Sequence, residues 1–199
     1  FIKGNNVTGT ATTIQSGGNT IINADNNIAF KEGRATQNLS TANRTTDKGF
    51  LSSKTTQDRY DMTSDTAIGS HIDGDKVSIT AKNDVHLTAT DVISDHGTYV
   101  KAGNNLTIDA AENRYSESSS HDKKKSGVFG TGSGLDFTIG SQKTQNQNST
   151  KQTWHTGSNI GTNDGNTVLM VGNHYQQTGS VVSAGNESNN NVHDLSRGT

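Results

Sequence analysis

Seven histidines are the residues of this chain best suited to acid–base or metal chemistry. Imidazole serves a zinc site when two rings share a His-x-x-x-His spacing or are joined by thiolates or carboxylates. The chain has no cysteine, and its histidines show no such spacing. His86 lies between Val85 and Leu87, the polar place in an apolar-polar-apolar triplet, where a strand turns it to solvent. His71 and His96 share the same stretch, while His121, His155, His174 and His193 read as loop or corner residues. Asp73, Asp75 and Asp84 have ligands for calcium, but the Gly-Gly-x-Gly-x-Asp nonapeptide of calcium-binding rolls is missing. Turn chemistry accounts for them better. The run Gly127–Gly134 looks like a phosphate loop, yet no Gly-Lys-Ser/Thr follows, and a hairpin turn is expected there. The residues therefore point to no catalytic group, no metal and no cofactor, and to a chain that is not an enzyme.

Contact chemistry is the alternative. Lys123-Lys124-Lys125 is the one basic run, fit for a solvated loop tip or for an anionic surface. A formal net charge of −2 argues against a nucleic-acid groove, whose footprint is strongly basic. Phe50, Tyr60, Phe129, Phe137 and Trp154 stand outside the regular stretches of the sequence. They either pack their own segments down or form a partner contact. Leu135-Asp136-Phe137-Thr138-Ile139 alternates and predicts a strand with one apolar face. Candidate interaction residues are thus Lys123, Lys124, Lys125, Phe129, Leu135, Phe137, Ile139 and Trp154.

The elements that would carry these residues follow from a repeat. Gly74–Ala81, Lys82–Ala89 and Gly103–Ala110 share one template: turn formers, then apolar, polar, apolar, polar, Ala. Each triplet is a short strand with two inward side chains, and each Asn-Asp, Asn-Asn or Gly-Asp pair is a sharp corner. Val85, Leu87 and Ala89 return as Leu106, Ile108 and Ala110 after about twenty residues, the length of one coil of a parallel β-solenoid. Val77, Ile79, Val85, Leu87, Val92, Leu106 and Ile108 are expected to point inward. A longer period carries Gly69-Ser70-His71-Ile72 into Gly157-Ser158-Asn159-Ile160; beyond it, Val77 aligns with Val168 and Val92 with Val181. Gly18–Ala24 and Asn26–Phe30 look like the closing coil of an earlier unit.

Composition fits this architecture. Leu, Ile, Val and Phe make up fewer than one residue in five, too few for a broad core but enough if each is buried once in a narrow, repetitive one. Proline, which cannot donate to a β-ladder, is absent. The expected organisation is a single solenoid fragment over about 1–186, with coils at about 14–30, 69–111 and 157–186. Two polar excursions, at about 31–67 and 112–156, are expected as hairpins or flaps, because structureless loops of that length are uncommon. An Asn-rich tail, 187–199, is expected to be flexible. The chain opens Phe1-Ile2-Lys3 with no methionine, signal peptide or membrane-length apolar run, and is expected to be a piece of a longer protein.

Lys124–Gly130, Gly134–Gln142, Asp164–Val168 and Tyr175–Val182 resemble the haemagglutinin repeats of filamentous-haemagglutinin-type exoproteins. Within that group they are most similar to the second repeat region of contact-dependent growth inhibition toxins. The resemblance implies an all-β, right-handed parallel β-helix in a giant protein exported by two-partner secretion and displayed on a Gram-negative cell. It implies as partners an outer-membrane secretion transporter and the outer membrane or a surface receptor of a target cell, and as role the presentation and delivery of a C-terminal toxin. The alternative within the same resemblance is the shaft of an adhesin. A polysaccharide-active β-helix enzyme is a remoter third, since the outward positions are mainly Ser, Thr, Asn and Lys.

Overall fold

The computed structural model describes residues 1–130, 137–185 and 192–194, with the backbone alone at 129, 130, 137, 138 and 192–194. Its described elements are all β-strands. They gather into two compact units, Phe1–Ala35 with Thr66–Asn113 and Trp154–Thr199, and Thr36–Asp65 with Arg114–Thr153.

The first unit is a parallel β-helix whose chain passes through three short strands per coil. The first coil holds β1 (Ile2–Gly4), β2 (Val7–Thr10) and β3 (Thr13–Ile14). The second holds β4 (Thr20–Ala24) and β5 (Ile28–Lys31), then a detour through β6 (Gly33–Lys48) and β7 (Ser52–Ile68), then β8 (Ser70–Gly74). The third is uninterrupted: β9 (Val77–Ala81), β10 (Val85–Thr88) and β11 (Thr90–Ser94). The fourth runs β12 (Thr98–Ala102), β13 (Asn105–Asp109), a second detour through β14 (Ala111–Gly130) and β15 (Phe137–Thr156), then β16 (Asn159–Thr162). The fifth holds β17 (Thr167–Val171), β18 (His174–Thr178) and β19 (Val181–Val182), and β20 (Val192–Asp194) pairs with β17. Like strands stack into three parallel sheets, β1-β4-β9-β12-β17-β20, β2-β5-β10-β13-β18 and β3-β8-β11-β16-β19.

The inward places behave as the template requires. Val85 pairs with Leu106 and Leu87 with Ile108 across neighbouring coils. All seven side chains expected to point inward are buried, none more than 1% exposed. Each such Leu or Ile contributes about 1.5–3 kcal/mol by leaving water. The long period needs a correction. Val77 stacks through Thr98 on Thr167, not Val168, and Val92 stacks through Ile160 on Val182, not Val181. The corner before β17 spans Asn163 to Asn166, whereas the one before β9 holds only Asp75 and Lys76. A one-residue slip in strand register exchanges the inner and outer faces, so Leu169, not Val168, enters the core.

Polar groups close the corners. Between the first and second strands, Asn27 Oδ1 accepts from Asn83 Nδ2 at 2.9 Å and from Asp84 N at 3.1 Å. One coil further on, Asp84 Oδ1 accepts in the same way from Asn104 Nδ2 and Asn105 N, at 2.9 and 3.0 Å. This column spends the corner side chains on the next coil, which satisfies part-buried backbone donors at Asp84 and Asn105.

The step from second to third strand takes two forms. In the first, third and fifth coils it is one left-handed residue, Ala11 (φ 46°), Ala89 (φ 45°) or Gly179 (φ 60°). In the second and fourth coils a whole hairpin occupies that step. A hydroxyl follows the step in every coil and donates back across it: Thr90 Oγ1 to Thr88 O at 3.0 Å, Ser70 Oγ to Lys31 O at 3.2 Å and Ser158 Oγ to Asp109 O at 2.9 Å. The bond is the same whether one residue or a hairpin lies between.

The second unit is an antiparallel sheet of order β15-β14-β7-β6. Its central seam pairs β14 with β7 from Arg114↔Asp65 to Gly127↔Ser52.

Candidate interaction surface

Lys123, Lys124 and Lys125 lie on β14, paired with Thr56, Thr55 and Lys54. The expectation of a loop tip is corrected: this polar run is a strand, because its neighbours β7 and β15 satisfy its backbone on both sides. Alternation along a strand puts Lys124 on one face and Lys123 and Lys125 on the other. The face of Lys124 also gathers Arg44, Lys143 and Asp122 around a shallow hollow, which Lys123 borders as well. On the opposite face Lys54 stands 4.0 Å from Asp47. The three lysines are thus divided between two surfaces.

Ile139 is 84% exposed on β15, and Trp154, near the end of the same strand, is 41% exposed. Leu135 lies outside the described residues, as do the side chains of Phe129 and Phe137. The tail 187–199 lies outside them too, apart from the backbone of Val192–Asp194. The geometry joins Leu51 to Phe50, one of the aromatics already weighed for a partner contact. The β6–β7 turn, closed by Gly49 N donating to Ser52 O at 2.7 Å, presents Phe50 fully exposed and Leu51 64% exposed. Val128 N donates to Leu51 O at 3.3 Å, so β14 reaches this same apolar tip. The adjacent Phe50-Leu51 pair in a polar stretch was the signal available.

Several histidines stand on strands instead of loops: His121 on β14, His155 on β15, His174 at the start of β18 and His193 on β20. His86 faces outward as expected, 3.4 Å from Asp109 Oδ2. His96 Nδ1 meets Asp75 Oδ1 at 2.5 Å, and His121 Nδ1 meets Asp58 Oδ1 at 2.5 Å. These are separate, partly exposed pairs, and among the described residues no group of three or more His, Asp or Glu side chains is placed to hold a metal ion. Asp84 is engaged in the corner column, and Asp73 accepts from Gln15 Nε2 at 3.0 Å and Ser16 N at 3.3 Å. On β14 the Tyr115 hydroxyl donates to Glu117 Oε2 at 2.7 Å, which pushes its pKa up to about 12.

One buried polar residue went unnoticed in the sequence. Asn113 has no exposed surface; its Oδ1 accepts from Ala67 N at 2.6 Å and its Nδ2 donates to Thr156 Oγ1 at 3.0 Å. It ties together the roots of β7, β14 and β15. Arg34 Nη1 donates to Glu112 O at 2.7 Å, adding the root of β6.

A parallel β-helix with long hairpins at a fixed corner, a polar exterior and no clustered reactive groups among its described residues defines a repeat segment. Residues 49–196 match the hemagglutinin repeat family, and the chain belongs to it. It is 29% identical over 179 residues, 89% of its length, to the tRNA nuclease CdiA of Escherichia coli strain STEC_O31. It is 33% identical over 186 residues, 81% of its length, to the 16S rRNA endonuclease CdiA of Enterobacter cloacae subsp. cloacae. The tRNA nuclease CdiA-2 of Burkholderia pseudomallei strain 1026b is 29% identical over 139 residues. The chain spans 6% of the length of the first two relatives and 4% of the third. No solved structure matches it.

Proposed function

We propose that this chain is a non-catalytic repeat segment of a secreted, cell-surface contact-dependent growth inhibition exoprotein of a Gram-negative bacterium, acting in the presentation and delivery of a C-terminal toxin. In this reading 1–186 is one solenoid fragment, the parent protein leaves the cell through an outer-membrane two-partner secretion transporter, and it meets the outer membrane or a receptor of a target cell. The carrying observation is the hemagglutinin-repeat match over 49–196 together with CdiA relatives along most of the chain.

Within the segment, the hairpins and not the coil faces make the contact used in delivery. The coils repeat one small polar surface, whereas the hairpins carry the Phe50-Leu51 tip, Ile139 and the divided lysines Lys123, Lys124 and Lys125. Exposed apolar groups of this kind mark interaction sites. In the full-length exoprotein, removal of 116–150 is expected to spare secretion and attachment to target cells and to reduce toxin entry. Unchanged killing by that deletion would leave the hairpin a spacer.

A further inference from the structure

Among the described residues the four-stranded sheet ends in two edges with no further strand beside them, β6 and β15. Every residue of β6 from Thr36 to Lys48, and of β15 from Ile139 to His155, is exposed. Natural edges are blunted with proline, dense charge, bulges or shortness. This chain has no proline, and between Ser141 and Thr153 β15 carries only Lys143 and Lys151 in a run of Gln, Asn, Ser and Thr.

The chain also contains the joint that such edges would make. β7 returns from the hairpin of the second coil and β14 leaves for that of the fourth, and these two strands pair antiparallel. By position in their coils, β15 is the counterpart of β7, and β6 is the counterpart of β14. We infer that β15 of one copy of this chain pairs antiparallel with β6 of a second copy, repeating the β7–β14 seam between molecules. The contact is heterologous, since it joins two different edges and leaves one of each free, so it propagates beyond a dimer. The inference goes beyond the delivery role and does not depend on it.

A register follows. Superposing Ser70 on Ser158 and Lys31 on Asp109 carries the β7–β14 pairing onto β15 and β6. It sets Gln147 of one copy opposite Ala42 of the other, Lys151 opposite Asn38, Lys143 opposite Thr46 and Gln145 opposite Arg44. Ser141 then meets Lys48 and Gln142 meets Asp47, so no two like charges are directly opposed. The internal seam is less favourable in this respect, for it opposes Lys125 to Lys54.

Because the chain has no cysteine, the test can be made with single introduced thiols. Ala42→Cys and Gln147→Cys chains, mixed and oxidised, are expected to give the mixed disulfide in clear excess over either self-pair and over a mixture of Ala42→Cys with Lys143→Cys. Sedimentation of the unmodified chain is expected to show association that grows with concentration. The double variant Ala42→Lys, Gln147→Lys opposes two cations and is expected to weaken that association about fivefold, and Ala42→Glu, Gln147→Lys to restore it. Circular dichroism identical to the parent's confirms that both variants fold. Self-pairs in excess, a monomer at every concentration, or association indifferent to the double-lysine variant would each overturn the inference.

Discussion

Ile22, Ile79 and Val100 sit in one sheet of the first unit with no exposed surface, whereas Thr36 to Lys48 of the second unit are all exposed. The same strand geometry is therefore stabilised in two ways. In the β-helix each inward side chain is a rung in an apolar column, and removing one leaves a cavity that neighbours above and below cannot fill. In the antiparallel sheet cohesion rests on backbone ladders and cross-strand pairs, each side-chain pair contributing roughly 0.2–1 kcal/mol. Burial gives the first unit its register. In the second, the turn at Gly49–Ser52 and cross-strand pairs such as Ser40 with Asp61 and His121 with Asp58 mark it.

A charge in the column is the strongest way to break this contrast. Leu87→Asp or Ile108→Asp is expected to cost several kcal/mol and abolish cooperative melting of the β-helix, because an unpaired carboxylate has no partner there. Leu39→Asp on β6 should change stability by no more than about 0.5 kcal/mol. Thermal melts followed by circular dichroism compare the three, and wild-type melting of both core variants would refute the register.

Replacing 116–150 with a short Gly-Ser turn tests the contrast from the other side. The β-helix should remain folded and β-rich, with its melting temperature little changed, while the β7–β14 seam disappears. Collapse to a random coil would show that the sheet supplies burial the coils lack.

Smaller effects probe the shared corner. Ser158 Oγ accepts from the buried Thr90 N at 2.9 Å, and Ser180 Oγ plays the same part for Ser158 N at 3.1 Å near the end of the described coils. Ser158→Ala should cost about 1–3 kcal/mol and speed hydrogen exchange at the Thr90 amide, since a buried donor is orphaned. Ser180→Ala, at a partly buried residue whose bond is less deeply enclosed, should cost less. Equal costs would mean that corner hydroxyls only shape the turn.

The smallest effect is electrostatic. Lys82 Nζ lies 2.6 Å from Asp25 Oδ1 and, chiefly by that hydrogen bond, holds the carboxyl below its ordinary 3.8. A depressed folded value means that the pair helps above the ordinary carboxylate range and is lost as pH falls through the lowered one. Lys82→Ala should move the Asp25 titration, followed by NMR, up toward the ordinary value with almost no change in melting.

Legibility in the sequence tracked burial. Val85-His86-Leu87 and Leu106-Thr107-Ile108 announce their coils because two apolar residues flank one polar one. The first coil, Ile2 to Ile14, escaped notice because an inward place is held by Gly9, which pairs with Phe30 and leaves room for its ring. Substitution of large by small within a column keeps the volume but erases the alternation. The hairpins were legible as polar excursions expected to be hairpins or flaps, but their individual strands were not, since strands wet on both faces need no period of two. The lysine run misled for that reason. Residue type alone nominated the lysines and Ile139 as contact candidates, but which face each lysine occupies depends on the seam register, which no local pattern carries.

The corner that takes either one left-handed residue or a hairpin has a consequence for how such chains can grow. Lys31 and Ser70 are held by the same hydroxyl bond that joins Thr88 to Thr90 across a single alanine. Closing a longer detour costs only about 0.6 kcal/mol for each doubling of its length. An inserted segment whose ends come together is thus nearly invisible to the coils on either side. Chain length ceases to measure coil number, and new segments can be grafted at this one site while the spacing of the rungs stays fixed.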